Sequence, residues 1–368
     1  MRVLISGGGT AGHINPALAI AENIKREFPE AEIRFVGTPF GMENKLVKKA
    51  GYEIYHVDVK GFQRKLTLKN ISTAWKAFTS PIKAGKIIKE FSPDLVVGTG
   101  GYVSWPVLSA ASKRKIPTVI HEQNAQVGVT TRMLSTLVDR VMISFEATRG
   151  QLKCKSENVI LTGNPVRHEL FELRREEERK KLSVPEDAFY ILSFGGSLGA
   201  RAINDTVLSL IKDKSLSSMG VYHTHAIGSY EWKNRREEIE TLEKKDGEEV
   251  VEYIYDMPSK MCAADLVICR AGAITLAELA VLGKPAILIP SPYVTDNHQY
   301  KNAKVVEDEG AGVVIEEKDL TAERLLSEIT DIINNKSRLS EMQKNARRLA
   351  INNTDEKIMG VIKEVILK

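Results

Sequence analysis

Several familiar features are missing from this 368-residue chain. No apolar run approaches the ~20 residues that a helix needs to cross a bilayer. Met1 and Arg2 lead straight into a strand-like segment, which leaves no room for a secretory leader. Only three cysteines occur, Cys154, Cys262 and Cys269. Their odd number and lack of ligand spacing point to reduced thiols rather than a disulfide framework. No Asp-x-Asp and no His/Cys group with metal spacing appears, so a resident metal is not expected. The net charge is +4, too small to name a partner, and no nucleic-acid module is recognisable. The expectation is a cytosolic globular protein. At 43% hydrophobic residues it has material for two cores.

What is present is punctuated by two glycine loops about 190 residues apart. The first is Gly7-Gly8-Gly9-Thr10-Ala11-Gly12-His13, after the apolar run Val3–Ser6; the second is Gly195-Gly196-Ser197-Leu198-Gly199-Ala200-Arg201, after Ile191–Phe194. Each sits where a strand hands over to a helix. Without a Cβ, backbone N–H groups approach an anion there, and the helix terminus favours its charge. Strand-like runs are read at Arg2–Ser6, Ile33–Gly37, Tyr52–Val57, Leu95–Thr99, Thr118–His121 and Val141–Ser144. In the second half they are read at Tyr190–Phe194, Gly220–His225, Val250–Tyr253, Leu266–Cys269, Ala286–Pro290 and Gly312–Ile315. Amphipathic stretches such as Ala17–Glu27, Ala200–Ile211, Ile274–Leu282 and Leu320–Asn334 lie between them. This alternation of short apolar strands with helices is the mark of an α/β protein with two doubly wound parallel sheets.

In such sheets ligands collect beyond the carboxyl ends of the strands. Gly100-Gly101-Tyr102, His121-Glu122-Gln123-Asn124 and Arg270-Ala271-Gly272-Ala273 all fall there, as does Pro290-Ser291-Pro292 with Asp296–Gln299. The first loop also fits a dinucleotide fingerprint, but the next strand ends Val36-Gly37-Thr38 without the acid that would hold a ribose, which argues against a dehydrogenase. His13, at a helix start, either acts as a base on a substrate or merely caps the loop. Glu278, one to two turns inside a helix that begins with small residues, either clamps sugar hydroxyls or is simply solvated. A diphosphate without a metal would need Arg167, Arg201 or Arg270.

The segment Lys60–Lys89 has eight basic residues and no acid, with Phe62, Trp75 and Phe78 interleaved. Ile71, Trp75, Phe78 and Ile82 form one stripe at helical spacing. Two readings stay open: a surface seated on anionic lipid, or a buried stripe with solvated lysines. Pro81 is expected to interrupt a long helix here.

Taken together, Gly8–Ala17, Gly100–Ser104, His121–Asn124 and Gly163–Arg167 resemble the N-domain signatures of the MurG family, bacterial N-acetylglucosaminyltransferases that convert lipid I to lipid II. Gly195–Arg201, Tyr253–Met257, Arg270–Ala273 with Thr275 and Glu278, and Gln299 resemble its C-domain signatures. The match runs in order over nearly the whole chain. Ala11, Ala271 and Trp105 depart from residues familiar at those positions.

The resemblance implies a GT-B fold, two Rossmann-like domains facing across a cleft, with residues 1–164 as the acceptor and membrane-associating domain. Residues 165–351 would bind UDP-GlcNAc, and a last helix at 352–368 would pack back on the first domain. It implies donor contacts from Thr10, Ala11, Gly12, Asn124, Arg167, Ser197, Ile254 and Gln299, and from Gly272, Ala273, Ile274, Thr275, Leu276, Ala277 and Glu278. Ile254 would lie at the uracil, Glu278 at the ribose and Gln299 at the sugar. Gly9, His13, Gly100, Gly101 and Tyr102 would face the acceptor diphosphate. The base would be His13, with His121 and Glu122 as the other candidates. Arg64, Lys65, Lys69, Trp75, Lys76, Phe78 and Lys83 would form a patch for anionic inner-leaflet phospholipids. The implied place is the cytoplasmic face of the bacterial plasma membrane, alongside other cell-wall synthesis proteins, with no cofactor. A sugar-nucleotide epimerase or another GT-B transferase would share the donor scaffold and turn over soluble substrate, and a non-catalytic UDP-sugar-binding or membrane scaffold protein would bind UDP-GlcNAc without turning over a lipid acceptor.

Overall fold

Period-two side chains on short apolar strands bury both faces of two separate parallel sheets. The computed structural model describes residues 1–59 and 69–367, with the stretch 69–79 through its backbone. Residues 1–166 and 353–368 form one unit, and residues 167–352 the other.

In the first unit the strands are β1 (Arg2–Ser6), β2 (Glu32–Gly37), β3 (Glu53–His56), β4 (Leu95–Gly98), β5 (Thr118–Glu122), β6 (Arg140–Ile143) and β7 (Val159–Leu161). Their order is β3-β2-β1-β4-β5-β6-β7. The helices α1 (Ala11–Glu27), α2 (Glu43–Lys49), α3 (Lys69–Phe91), α4 (Ser104–Ser112) and α5 (Val129–Leu134) connect them. Val3 and Ile5 of β1 and Leu95 and Val97 of β4 pack against Ile14, Ile20 and Ile24 of α1. Leu4, Val96 and Ile120, one residue out of step, pack instead with Ile88 of α3 and Val107 and Leu108 of α4. Each such buried side chain contributes about 1.5–3 kcal/mol, and both faces are covered.

The second unit holds β8 (Tyr190–Phe194), β9 (Tyr222–Ala226), β10 (Glu248–Val251), β11 (Leu266–Cys269), β12 (Ala286–Leu288) and β13 (Gly312–Val314). They are ordered β10-β9-β8-β11-β12-β13. Its helices are α6 (Arg175–Lys181), α7 (Arg201–Lys212), α8 (Ser229–Asn234), α9 (Arg236–Glu240), α10 (Met257–Ala263), α11 (Ala273–Leu282), α12 (His298–Asp308), α13 (Ala322–Asn334) and α14 (Lys336–Arg348). Ile191, Ile268 and Ile287 face α7 and α13. Leu192, Val267 and Leu288 face α10, α11 and α12. The last helix, α15 (Thr354–Ile366), belongs to the first unit: Ile358 and Ile362 enter its core, and Asp355 accepts from Asn23 at 2.7 Å and from Arg26 at 2.8 Å.

Three local differences from the sequence reading have physical causes. Helix α1 reaches back from the amphipathic stretch Ala17–Glu27 to Ala11, because the N–H groups of His13 and Ile14 both bond to the Thr10 carbonyl as the glycine loop closes. Helix α3 runs through Pro81 instead of breaking there, with Ser80, Ala84, Ile88 and Phe91 buried along one side. Packing of that side outweighs the one backbone bond a proline removes. Strand β7 is only three residues long and carries no alternation to read.

The strand order matters for function. In each sheet the chain reverses direction of winding beside the first strand, between β1 and β4 and between β8 and β11. Loops leaving the two strands at such a switch point diverge and open a crevice at their carboxyl ends. Both glycine loops sit there.

Candidate active site

Strand β1 ends at Ser6 and the chain turns through Gly7-Gly8-Gly9 into α1. Gly101, at φ +76°, comes so close that a Cβ on it would lie 2.3 Å from the Gly8 carbonyl oxygen, so only glycine lets the β4 loop close on the β1 loop. Gly9, Thr10, Ala11 and Gly12 are exposed, and Thr10 caps nothing with its side chain. Among the described residues the N–H groups of Thr10, Ala11 and Gly12 have no acceptor, as at any uncapped helix start.

Gly9 differs. Its N–H donates at 3.2 Å to the Glu43 carboxylate, which also accepts from the Thr38 N–H and hydroxyl, both at 2.8 Å. Glu43 is fully buried, and a Cβ on Gly8, Gly37 or Gly41 would run into it. Burial alone would raise its pKa. The hydrogen bonds from Thr38, Gly9 and its own backbone outweigh that, and it lies below the usual carboxylate range. The sequence reading missed Glu43. The signal was three glycines around one acid, but the residues meet only through the fold. The expectation that Gly9 faces an acceptor diphosphate needs correcting at one atom, because its N–H is already taken.

His13 is half-buried, and its Nδ1 lies 3.1 Å from Gln123 Oε1. Tyr102, partly buried, packs over Gly9. His121 does not suit the base role. It is completely buried, its Nε2 donates to the Gly163 carbonyl at 2.9 Å, and its Nδ1 is engaged by Gln123 at 2.9 Å. Burial pushes this imidazole down, with Gly163 only partly offsetting it, so it stays neutral. Glu122 is 2% exposed, and its carboxylate folds back on its own loop. One oxygen accepts from the Asn124 N–H at 3.2 Å and amide at 3.3 Å, the other from the Gly128 N–H at 3.0 Å, at the start of α5. It therefore shapes the loop that presents Asn124. Among the described residues His13 Nε2 has no partner, whereas both His121 nitrogens and both Glu122 oxygens are engaged.

The second unit contains a cavity of about 600 Å³ at its switch point. The second glycine loop forms one wall, Gly272 and Thr275 at the head of α11 another, and Ser291, Tyr293 and Gln299 a third. Gly199 takes φ +91° with its Cβ position 2.1 Å from the Ile227 carbonyl oxygen, which pins the loop to β9. Among the described residues the N–H groups of Gly196 and Ser197 have no acceptor. Gln299 accepts from the Ser291 N–H at 2.9 Å, leaving its amide nitrogen as a donor. Tyr293, 85% exposed, is a wall residue that the sequence reading did not name.

The arginines fare differently. Arg270 does not serve as a free diphosphate cation: it donates to the Ile289 and Pro290 carbonyls at 3.1 and 3.2 Å and pairs with Glu317. Arg201 lines the cavity with its side chain 80% exposed and only a 3.6 Å approach to Asp205. Arg167 holds one oxygen of Glu278 through both Nε and Nη2, at 2.9 Å each. Burial raises the Glu278 pKa, and Arg167 opposes that shift. Ala273 and Leu276 are buried, and Ile254, 3% exposed, is packed in the core rather than on the cavity wall. Ile274 and Ala277 lie on α11 with them.

Of the proposed lipid patch, Arg64 and Lys65 lie outside the described residues. Lys69, Trp75, Lys76 and Phe78 fall within α3, and Lys83 is exposed. Ile82, which shares a stripe with Trp75 and Phe78, is 66% exposed, away from the side of α3 that packs on the core. Among the described residues no helix is long and apolar enough to cross a membrane.

Comparison with known proteins agrees over both units. Residues 3–143 match the glycosyltransferase family 28 N-terminal domain, and residues 190–359 its C-terminal domain. A relative from Acetivibrio thermocellus is 49% identical over all of this chain and 98% of its own. It is named UDP-N-acetylglucosamine--N-acetylmuramyl-(pentapeptide) pyrophosphoryl-undecaprenol N-acetylglucosamine transferase. A relative of the same name from Thermoanaerobacter is 45% identical over 99% of this chain and all of its own. The crystal structure of Acinetobacter baumannii MurG superposes with TM-score 0.79 at 31% identity, covering 98% of this chain and 99% of that one. A UDP-GlcNAc 2-epimerase from Neisseria meningitidis shares the fold at TM-score 0.64, but at 16% identity it shares no more than that. The two Rossmann-like sheets are those of the GT-B architecture, and the chain belongs to glycosyltransferase family 28, in its MurG branch.

Proposed function

We propose that this chain is an inverting transferase that moves GlcNAc from UDP-GlcNAc to the C4 hydroxyl of lipid I, giving lipid II and UDP. The observation that carries the reading is the full-length, 49% identity to a transferase of that name, with both family-28 domains in order. The site geometry supports a division of labour. In the first unit, His13 Nε2 takes the proton from the attacking hydroxyl. The free N–H groups of Thr10, Ala11 and Gly12, with Asn124, offer donors to an anionic group nearby.

In the second unit, the cavity takes the nucleotide. The N–H groups of Gly196 and Ser197, with Arg201, meet the charge that develops on the leaving diphosphate, and the α11 terminus adds its dipole. Glu278, paired with Arg167, accepts from ribose hydroxyls. Gln299 donates to the sugar. These groups supply the electrostatic stabilisation, so no divalent ion is required.

The basic, aromatic segment that ends in α3 docks on anionic lipid of the cytoplasmic leaflet, where the acceptor resides. The outward position of Ile82 beside Lys83 supports this. Labelled GlcNAc transfer from UDP-GlcNAc to lipid I, or to a short-chain analogue, in EDTA tests the reading. Labelled lipid product is expected. Tight UDP-GlcNAc binding without product, with or without Mg²⁺, would overturn it in favour of a binding protein.

A further inference from the structure

Four groups in the first unit form an unbroken hydrogen-bonded chain behind His13, and its polarity can be read atom by atom. It starts at the Gly163 carbonyl, which can only accept. His121 Nε2, 2.9 Å away, must therefore carry the hydrogen. His121 is neutral and completely buried, so its Nδ1 is a lone pair. Gln123 Nε2 donates to that Nδ1 at 2.9 Å and to the His121 carbonyl at 2.9 Å. Both amide hydrogens are then spent. A flipped amide would set its oxygen against a carbonyl and a lone pair, so the orientation is fixed by two acceptors. Gln123 Oε1 faces His13 Nδ1 at 3.1 Å and can only accept from it. His13 Nδ1 therefore carries the hydrogen, and in the neutral ring Nε2 is the lone-pair nitrogen.

The ring has little freedom to escape this assignment. The Thr99 hydroxyl donates to the His13 carbonyl at 2.8 Å. The Nδ1–Cε1 edge lies against Gly100, where a Cβ would come within 2.8 and 2.9 Å of those atoms. Strand β5, central in the sheet, carries His121, and Gln123 follows directly, so the chain is anchored on a rigid element.

We propose that Gln123 and His121 are positioning residues that hold His13 as the Nδ1–H tautomer, presenting Nε2 as the lone-pair nitrogen. The catalytic consequence rests on the reading of His13 as base; the tautomer does not. An acceptor hydroxyl can lose its proton only to a nitrogen that lacks one, so the wrong tautomer is an inactive one.

Nitrogen-15 imidazole spectra of the full-length, unliganded protein at neutral pH test this, with the His13 signals identified by their loss in His13→Gln. The wild type should show His13 protonated at Nδ1. Gln123→Met should lose that signature, and its kcat should fall on the order of ten- to a hundred-fold, the scale of lost outer-shell histidine partners, with KM for UDP-GlcNAc unchanged. A wild-type His13 protonated at Nε2, or a Gln123→Met spectrum and kcat like wild type, would overturn the proposal. The wild-type spectrum decides even if the variant fails to fold. If His13→Gln keeps near-normal turnover, the base reading falls, while the spectra still decide the tautomer.

Discussion

Glu43 offers the sharpest stability prediction, because one buried carboxylate ties the first glycine loop to the end of β2. In Glu43→Gln the amide oxygen can serve Thr38, whose N–H and hydroxyl both point at a single carboxylate oxygen. The amide NH₂ must then face the Gly9 N–H, donor against donor, where the second oxygen now accepts at 3.2 Å. One charge-assisted bond is lost, two are weakened, and a buried donor is left without an acceptor, for a cost of about 2–4 kcal/mol. Glu43→Ala strands all three donors beside Gly8, Gly37 and Gly41 and costs more, about 3–5 kcal/mol. Thermal unfolding should show the first unit melting roughly 5–10 °C lower in Glu43→Gln. Amide exchange should quicken at Gly9 and Thr38, and turnover should fall because α1 and His13 start from this loop. A variant that melts within about 1 °C of wild type, with unchanged exchange at Gly9, would refute the reasoning.

Other expectations follow from the same geometry. His223 and His225 are fully buried around the Ser193 hydroxyl, at 2.7 Å each, with pKa values pushed down by burial to about 4 and about 3. The unfolded chain binds protons near pH 6.5 and the folded one does not, so this stability is full above that pH and is lost on going down towards pH 4 and below. At about 1.4 kcal/mol per unit the loss reaches several kcal/mol. Urea midpoints that stay flat between pH 6.5 and 5 would contradict it. Arg167→Met removes the cation that opposes the raised pKa of Glu278, so UDP-GlcNAc binding should weaken and begin to fail at higher pH than in wild type. Calorimetric titration across pH 5–8 checks this, and an unchanged pH dependence would refute it. Replacing Lys69, Lys76 and Lys83 with Glu should abolish sedimentation with anionic vesicles, by about 1 kcal/mol for each positive charge lost, while leaving transfer to a short-chain soluble acceptor intact. Equal sedimentation of both proteins would remove the lipid surface from the account.

How much of this was legible depended on what each feature rests on. The strands were readable because parallel sheets bury both faces, and runs such as Val3-Leu4-Ile5 or Leu266-Val267-Ile268 have no polar alternative. The glycine loops were readable because backbone approach demands glycine, as Gly101 and Gly199 bear out. Ends of elements were less so: α3 passes Pro81, because tertiary packing decides whether the helix continues. His121 and Glu122 look like chemistry from their residue types, and what the sequence does not show is that both are buried with their polar atoms already engaged. Glu43 went unnamed, and Gln123 was given no role of its own, for the converse reason. The contacts that tie them to the first glycine loop and to His13 span 34 and 110 residues, and no local pattern signals a contact of that range. Arg270 stood beside Arg167 and Arg201 as a candidate cation because its partner Glu317 is also remote in sequence.

On the proposed mechanism the first unit supplies the base and the second holds the donor. The measurement that tests it most directly compares His13→Ala with the wild type, taking kcat for lipid I and the dissociation constant for UDP-GlcNAc on the same preparations. The account predicts a kcat lower by about 10²–10⁴-fold, the usual worth of a general base, with donor affinity within roughly two-fold of wild type. Near-normal turnover in His13→Ala, or a loss that lies in donor affinity instead, would contradict it.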